Sequence, residues 1–179
     1  DLKNFFLSIS FLIALFAGAE AQSTMNTSVN TRAKMKGIFM LKFAQSTEWP
    51  AEYKQGEFVI AVINDDDLAK TLEMTTKTKG VNSQPVKVKR YTSSAEVEKC
   101  HVMYIGGKSA GEIEPFAKKA NNYNTLIITE SPGVIDRTSC INFVVSGSLI
   151  KYEMNTKLMK DQGLVVSNSL EKLAIKVIK

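Results

Sequence analysis

"EFVIAVIN", residues 57–64, places six consecutive apolar residues, Phe58 to Ile63, between Gly56 and the acidic cluster Asp65-Asp66-Asp67. The run is too short for a buried helix and rich in β-branched residues, so it reads as a strand covered on both faces. Antiparallel sheets with one wet face alternate apolar and polar residues. A run that is apolar throughout belongs to a parallel sheet flanked by helices.

The segments around it fit that assignment. Downstream, residues 67–78 show helical spacing, with Leu68 and Leu72 on one face, Asp67 as the N-terminal cap and Gly80 as the stop. "PVKVKRYT" (85–92) alternates and predicts a more exposed, edge-like strand. A short helix at 93–98, a buried strand at 100–107 ("CHVMYIGG"), a helix at 110–121 and a third apolar strand at 124–130 ("NTLIITE") follow. The β-α-β-α-β-α-β order implies parallel strands joined by crossover helices. "CINFVVSGSLIKYEMN" (140–155) then gives two strand-like runs around Ser146-Gly147-Ser148, a hairpin. Asn155 is placed to cap a short helix ending at Gly163. Ser167 or Asn168 is placed to cap a final one with Leu170, Leu173, Ala174, Val177 and Ile178 on its apolar face. Upstream, apolar residues from Val29 to Ala44 describe a long helix, which Pro50 stops at Trp49. The expected fold is α/β and three-layered: a mostly parallel sheet of about six strands ending in a hairpin, with helices on both faces.

Residues 5–16, "FFLSISFLIALF", form an apolar run behind Lys3 that is shorter than the ~20 residues needed to span a bilayer. Ala19-Glu20-Ala21 fits the small-x-small rule of signal peptidase, so residues 1–21 read as a secretory signal cleaved after Ala21. An uncleaved anchor and a buried helix are the alternatives. Residues 22–179 then form a single domain. The chain carries a formal charge of +5, and removal of 1–21 takes away one lysine and two acids. Its lysines are dispersed, with no basic stripe interleaved with aromatics, which argues against a nucleic-acid partner. Cys100 and Cys140 are either a disulfide, in keeping with an oxidising compartment, or two buried thiols.

Motifs with chemical content resolve into ordinary structure. "GGKSAG" (106–111) lacks a phosphate loop's first glycine, whose place is held by Val102. "NDDD" (64–67) is similar to a receiver-domain acidic pocket, but Gly106-Gly107 stand where the phosphoacceptor would be. Cys100 and His101, adjacent on a strand, face opposite sides and cannot pair as nucleophile and base. A single histidine does not assemble a zinc site of ordinary composition. Glu130 and Asp136 lie near one strand end, but their spacing carries no specific signal; with Asp65 they read as scattered surface acids, a hydrolase being the third reading. The reading is therefore non-enzymatic, with no catalytic residue, cofactor or metal.

"RAKMKGIFMLKFAQSTEWP" (32–50), "FVIAVIND", "KCHVMYIGG", "TLIITESPGVI", "INFVVSGSLIKYEMN" and "GLVVSNSLEKLA" together resemble, in order, the motifs of the YfiR-like family of bacterial periplasmic proteins, over residues 30–175. The resemblance implies a periplasmic, often dimeric α/β domain that regulates rather than catalyses. It implies as partner the periplasmic part of a membrane diguanylate cyclase or a sensor kinase, whose output it represses, with consequences for cyclic-di-GMP and biofilm formation. It also implies that Phe43, Trp49, Pro50, Asn155, Gly163 and Ser167 are signature positions, structural or at an interface, and that Cys100 matches a strand-start cysteine. Trp49 is either a core plug or an interface anchor. A second reading is a periplasmic small-ligand receptor using the crevice at Asn64–Asp66 and Gly106-Gly107, where sheets of this class bind ligands.

Overall fold

A computed structural model describes residues 31–107 and 109–179 and builds them around a seven-stranded sheet. The segment read as a secretory signal, residues 1–21, lies outside the described residues. The elements run α1 (31–45), β1 (Thr47–Glu48), β2 (Phe58–Ile63), α2 (Asp66–Thr76), β3 (Val86–Arg90), β4 (Val102–Ile105), α3 (Ala110–Ala120), β5 (Leu126–Thr129), β6 (Ile141–Ser146), β7 (Leu149–Asn155), α4 (Thr156–Asp161), β8 (Val165–Val166), α5 (Asn168–Leu173) and β9 (Lys176–Ile178). Sheet order is β3-β2-β4-β5-β6-β7-β9, parallel except for the β6–β7 hairpin. The separate pair β1–β8 is antiparallel.

The fold class is as the sequence predicts. The apolar run sits as β2 between β3 and β4, with five of its six residues buried. The crossover from β2 to β3 through α2 and that from β4 to β5 through α3 travel in opposite directions along the sheet. Right-handed connections therefore place the two helices on opposite faces. α1 shares the α2 face: a Cβ on Gly37 would meet Thr71 and Leu72 at 3.5 and 3.7 Å, so glycine lets the helices close together. Further along α1, Phe39 and Phe43 lie over Phe143 and Tyr152, the Phe43–Tyr152 centroids being 4.9 Å apart.

The departures are local. The tail predicted as one helix to Ile178 breaks at Ala174 (φ −68, ψ 139) and continues as β9, a seventh strand alongside β7. Leu173, expected on an apolar helix face, is 69% exposed. Ile175, Val177 and Ile178 are β-branched, and the free edge of β7 gives them ladder partners that a helix would not. Asp65, not Asp67, caps α2 by accepting from Leu68 N–H at 3.0 Å. α2 also ends at Thr76 rather than at Gly80, which lies in the following turn, where a Cβ would come 2.3 Å from the Gln84 carbonyl oxygen. The segment 93–98 contains only a single 3-10 turn, Ser94–Glu96, closed by a Ser93/Glu96 capping box. In the hairpin, Gly147 adopts φ +60, as a two-residue turn of this hand requires.

Candidate functional site

The carboxyl ends of β2 and β4 are where the strand order reverses, the usual ligand crevice of an open α/β sheet. Here the two strand ends pack directly against each other. Asn64, itself at φ +57, donates through Nδ2 to the Gly106 carbonyl at 2.9 Å. The backbones run so close that a Cβ on Gly106 would lie 2.8 Å from the Asn64 carbonyl oxygen. At the position read from sequence as a small-ligand site, no group fits between Asn64 and Gly106.

Lys36 comes down from α1 onto this end of the sheet. Its Nζ stands 2.9 Å from Asp65 Oδ2, 2.5 Å from Glu130 Oε2 and 3.0 Å from the Tyr104 hydroxyl. Tyr104 in turn donates to Glu130 Oε2 at 2.9 Å. Burial, and then the two neighbouring carboxylates, push the Tyr104 hydroxyl well above its ordinary range, so it stays a donor. Asp65 therefore does two jobs, capping α2 and holding Lys36. Sequence alone reads Asp65, Glu130 and Asp136 as scattered surface acids. Two of them meet on one ammonium, while Asp136 pairs with Lys176 at 3.0 Å. Both carboxylates and the ammonium are spent on one another, which makes the cluster a tie between α1, β2, β4 and β5. Beside Glu130 lies a cavity of about 430 Å³, lined by the 131–133 turn, Asn142, Phe143 and Glu153 among others. Among the described residues no group of three or more His, Cys, Asp and Glu side chains is placed to hold a metal ion.

At the opposite end of the sheet the Trp-Pro turn packs into an aromatic nest. Trp49 is 4% exposed, donates Nε1–H to the Ala44 carbonyl at 3.0 Å, and meets Phe58 and His101 edge-on at 5.4 and 5.5 Å. Pro50 starts the 3-10 turn Ala51–Tyr53. His101 accepts from Val59 N–H through Nδ1 at 3.0 Å, so its proton is on Nε2, which donates to the Tyr53 carbonyl at 2.7 Å. Burial holds this imidazole below its usual range, the Tyr53 carbonyl partly opposing the shift and Lys99 adding to it.

Against known proteins, the sequence profile described as DUF4154, YfiR/HmsC-like, matches residues 33–175. The chain belongs to the YfiR/HmsC-like family. That family consists of periplasmic regulators rather than catalysts. No curated protein matches the chain significantly in sequence. A conserved domain protein from Vibrio cholerae has a similar crystal structure, with a TM-score of 0.52 and 16% identity over 67% of this chain and 54% of that one. The ABC domain from Streptococcus pneumonia, solved in complex with L-Trp, gives 0.50 and 13% over 67% and 55%. The chain spans about half the length of these solved structures, and at such identity the likeness is one of fold.

The positions that the sequence resemblance singles out mark joints of the chain. Phe43 is fully buried in the aromatic layer. Asn155 caps α4, its Oδ1 accepting from Leu158 N–H and its Nδ2 donating to the Ile135 carbonyl, both at 2.9 Å. Gly163 holds φ +67 with Asn124 Nδ2 3.2 Å from where a Cβ would be, a place open to glycine alone without strain. Ser167 is the N-cap residue of α5, and its N–H donates to the Ser46 carbonyl at 3.1 Å. Cys100 and Cys140 are free and buried. Cys100 lies two residues before β4 and Cys140 one before β6, with β5 between, so two strand spacings alone separate them by about 10 Å, beyond the reach of a disulfide. Of the two sequence readings, the structure therefore has the pair of thiols. Lys36 and Tyr104 were not singled out from sequence. The legible signal was a lysine on the apolar stripe of α1, with Ala33, Met40 and Phe43.

Proposed function

We propose that this chain is an exported, non-enzymatic regulator. It docks on the periplasmic part of a membrane signalling protein, a diguanylate cyclase or sensor kinase, and represses its output. Residues 1–21 act as the export signal, cleaved after Ala21, and the working unit is a homodimer, as the family resemblance implies. The observation that carries the reading is membership of a family of periplasmic regulators over residues 33–175. Two structural features support it. Asn64 and Gly106 pack directly on each other at the strand ends, and Asp65 and Glu130 of that end share the Lys36 ammonium. No helix among the described residues is long and apolar enough to cross a membrane.

The outer face of α1 is the docking surface in this reading. Its exposed positions Lys34, Ile38 and Lys42 form a one-sided stripe in which Ile38 is 66% exposed, and Met74, 73% exposed, stands on the adjoining α2. A photo-crosslinking amino acid at position 38, in living cells, is expected to capture a membrane protein whose cytoplasmic part is a cyclase or kinase. The same probe at Glu52, an exposed site on another surface, is expected to capture none. Equal capture from both positions, or capture of no such protein from position 38, would remove α1 as the docking face.

A further inference from the structure

We propose that the outer face of α2, with the lysines of α1 beside it, is a landing surface for an anionic lipid bilayer. Lys70, Met74 and Lys77 recur at i, i+4 and i+7 and so share one stripe of the helix. All three are exposed, Met74 to 73%, on the side turned away from the sheet. Lys79 follows, also exposed, in the turn after the helix. α1 packs alongside through Gly37 at about a helix diameter, and its exposed Lys34 and Lys42 add to the same field. These lysines are dispersed in the sequence; two helices lying side by side on one sheet face gather them.

The cations of this face are almost unopposed. Among the described residues none of Lys34, Lys42, Lys70, Lys77 and Lys79 has an ion pair. The sequence from Gln22 to Thr47, which includes all of α1, contains no acid. On α2, Asp66 and Glu73 are both drawn to Arg90 of β3, at 4.0 and 3.0 Å, which leaves Asp67 alone against the lysines. By contrast α3, on the opposite face of the sheet, carries Glu112 and Glu114 together with Lys118 and Lys119. The composition fits lipid headgroups better than a protein surface. Protein interfaces are depleted in lysine and enriched in aromatics, and this stripe sets lysines around one unbranched methionine. An anionic bilayer asks only for that charge and a flexible apolar tip that enters the headgroup boundary. Each lysine held at such a surface strengthens binding about fivefold, and salt weakens it. In the docking proposal Ile38 on α1 meets the partner protein; α2 resting on lipid adds to this a search along the membrane rather than through solution.

Co-sedimentation of the intact chain with protein-free vesicles tests the lipid surface. Vesicles of phosphatidylglycerol and phosphatidylcholine in equal parts are expected to bind at least about tenfold more strongly than phosphatidylcholine alone, and high salt to release the chain. Lys70→Glu combined with Lys77→Glu is expected to lower that binding by more than about twentyfold, and Met74→Asp by at least about fivefold. These positions are exposed, so the variants are expected to keep the unfolding temperature of the unaltered protein. Lys118→Glu with Lys119→Glu makes the same change of charge on α3 and is expected to leave binding within about threefold. Equal binding to both kinds of vesicle, absence of binding to either, or an equal loss from the α2 and α3 variants would overturn the lipid surface. Binding to native membranes alone, abolished when their proteins are digested, would give this face to a protein and overturn it as well. The crosslink at position 38 decides the docking proposal separately, since the vesicles carry no partner.

Discussion

Lys36 emerges from an apolar stripe with an ammonium that has to be neutralised, and Asp65, the cap of α2, and Glu130, just past β5, do so. Replacing it by methionine leaves two carboxylates and a tyrosine hydroxyl facing one another without their cation. Removing one member of a fully buried pair costs about 3–5 kcal/mol. With these side chains 10–26% exposed, Lys36→Met is expected to cost about 2–3 kcal/mol by denaturant unfolding, and adding Glu130→Gln to recover part of it. A cost below about 0.5 kcal/mol would mean the cluster is solvated and incidental. The cysteines make a second residue-scale prediction. Burial pushes both thiols up to about 12, so the native protein at pH 8 is expected to be inert to a thiol reagent, with two groups titrating once it is denatured without reductant. At this scale the sequence was a partial guide. Asn155 as a cap and Gly163 as a turn were legible because each answers to local backbone geometry. The meeting of Lys36 with Asp65 and Glu130 was not, since three residues separated by up to 94 positions are joined only by the order of the strands.

Among the elements, α1 does the most. Its inner face, Met40, Phe43 and Ala44, is fully buried, and its outer face offers Lys34, Ile38 and Lys42. The two faces are separable by substitution. Ile38→Asp is expected to leave stability within about 0.5 kcal/mol, as exposed positions generally do, while lowering capture of the partner at least tenfold. α4 is a short helix that rests on its cap, and Asn155→Ala is expected to cost about 1–2 kcal/mol, through the lost cap and the stranded Ile135 carbonyl. Thermal or denaturant unfolding of the purified variant measures it. The interior strands β2, β4 and β5 could be read because a short, unbroken apolar run between turn residues suits little besides a strand covered on both faces. β9 could not: Leu170, Leu173, Val177 and Ile178 keep helical spacing, and only the open edge of β7 turns the second half of that pattern into a strand. The β1–β8 ribbon is two residues a side, too short to show any period.

On the scale of the whole molecule, the strand ends at the switch point pack directly on each other, and the positions singled out by the resemblance serve as caps, turns and core. This agrees with membership of a family of periplasmic regulators and supports the proposal that the chain works by docking. The measurement that tests it most directly compares signalling output, cyclic-di-GMP level and kinase-dependent transcription, in a strain lacking the gene and in the same strain supplied with the intact chain or with Ile38→Asp. The account predicts that loss of the gene raises one of the two outputs, that the intact chain restores it, and that the Ile38→Asp protein, exported and folded at equal abundance, does not. Outputs that stay the same with and without the gene would contradict it.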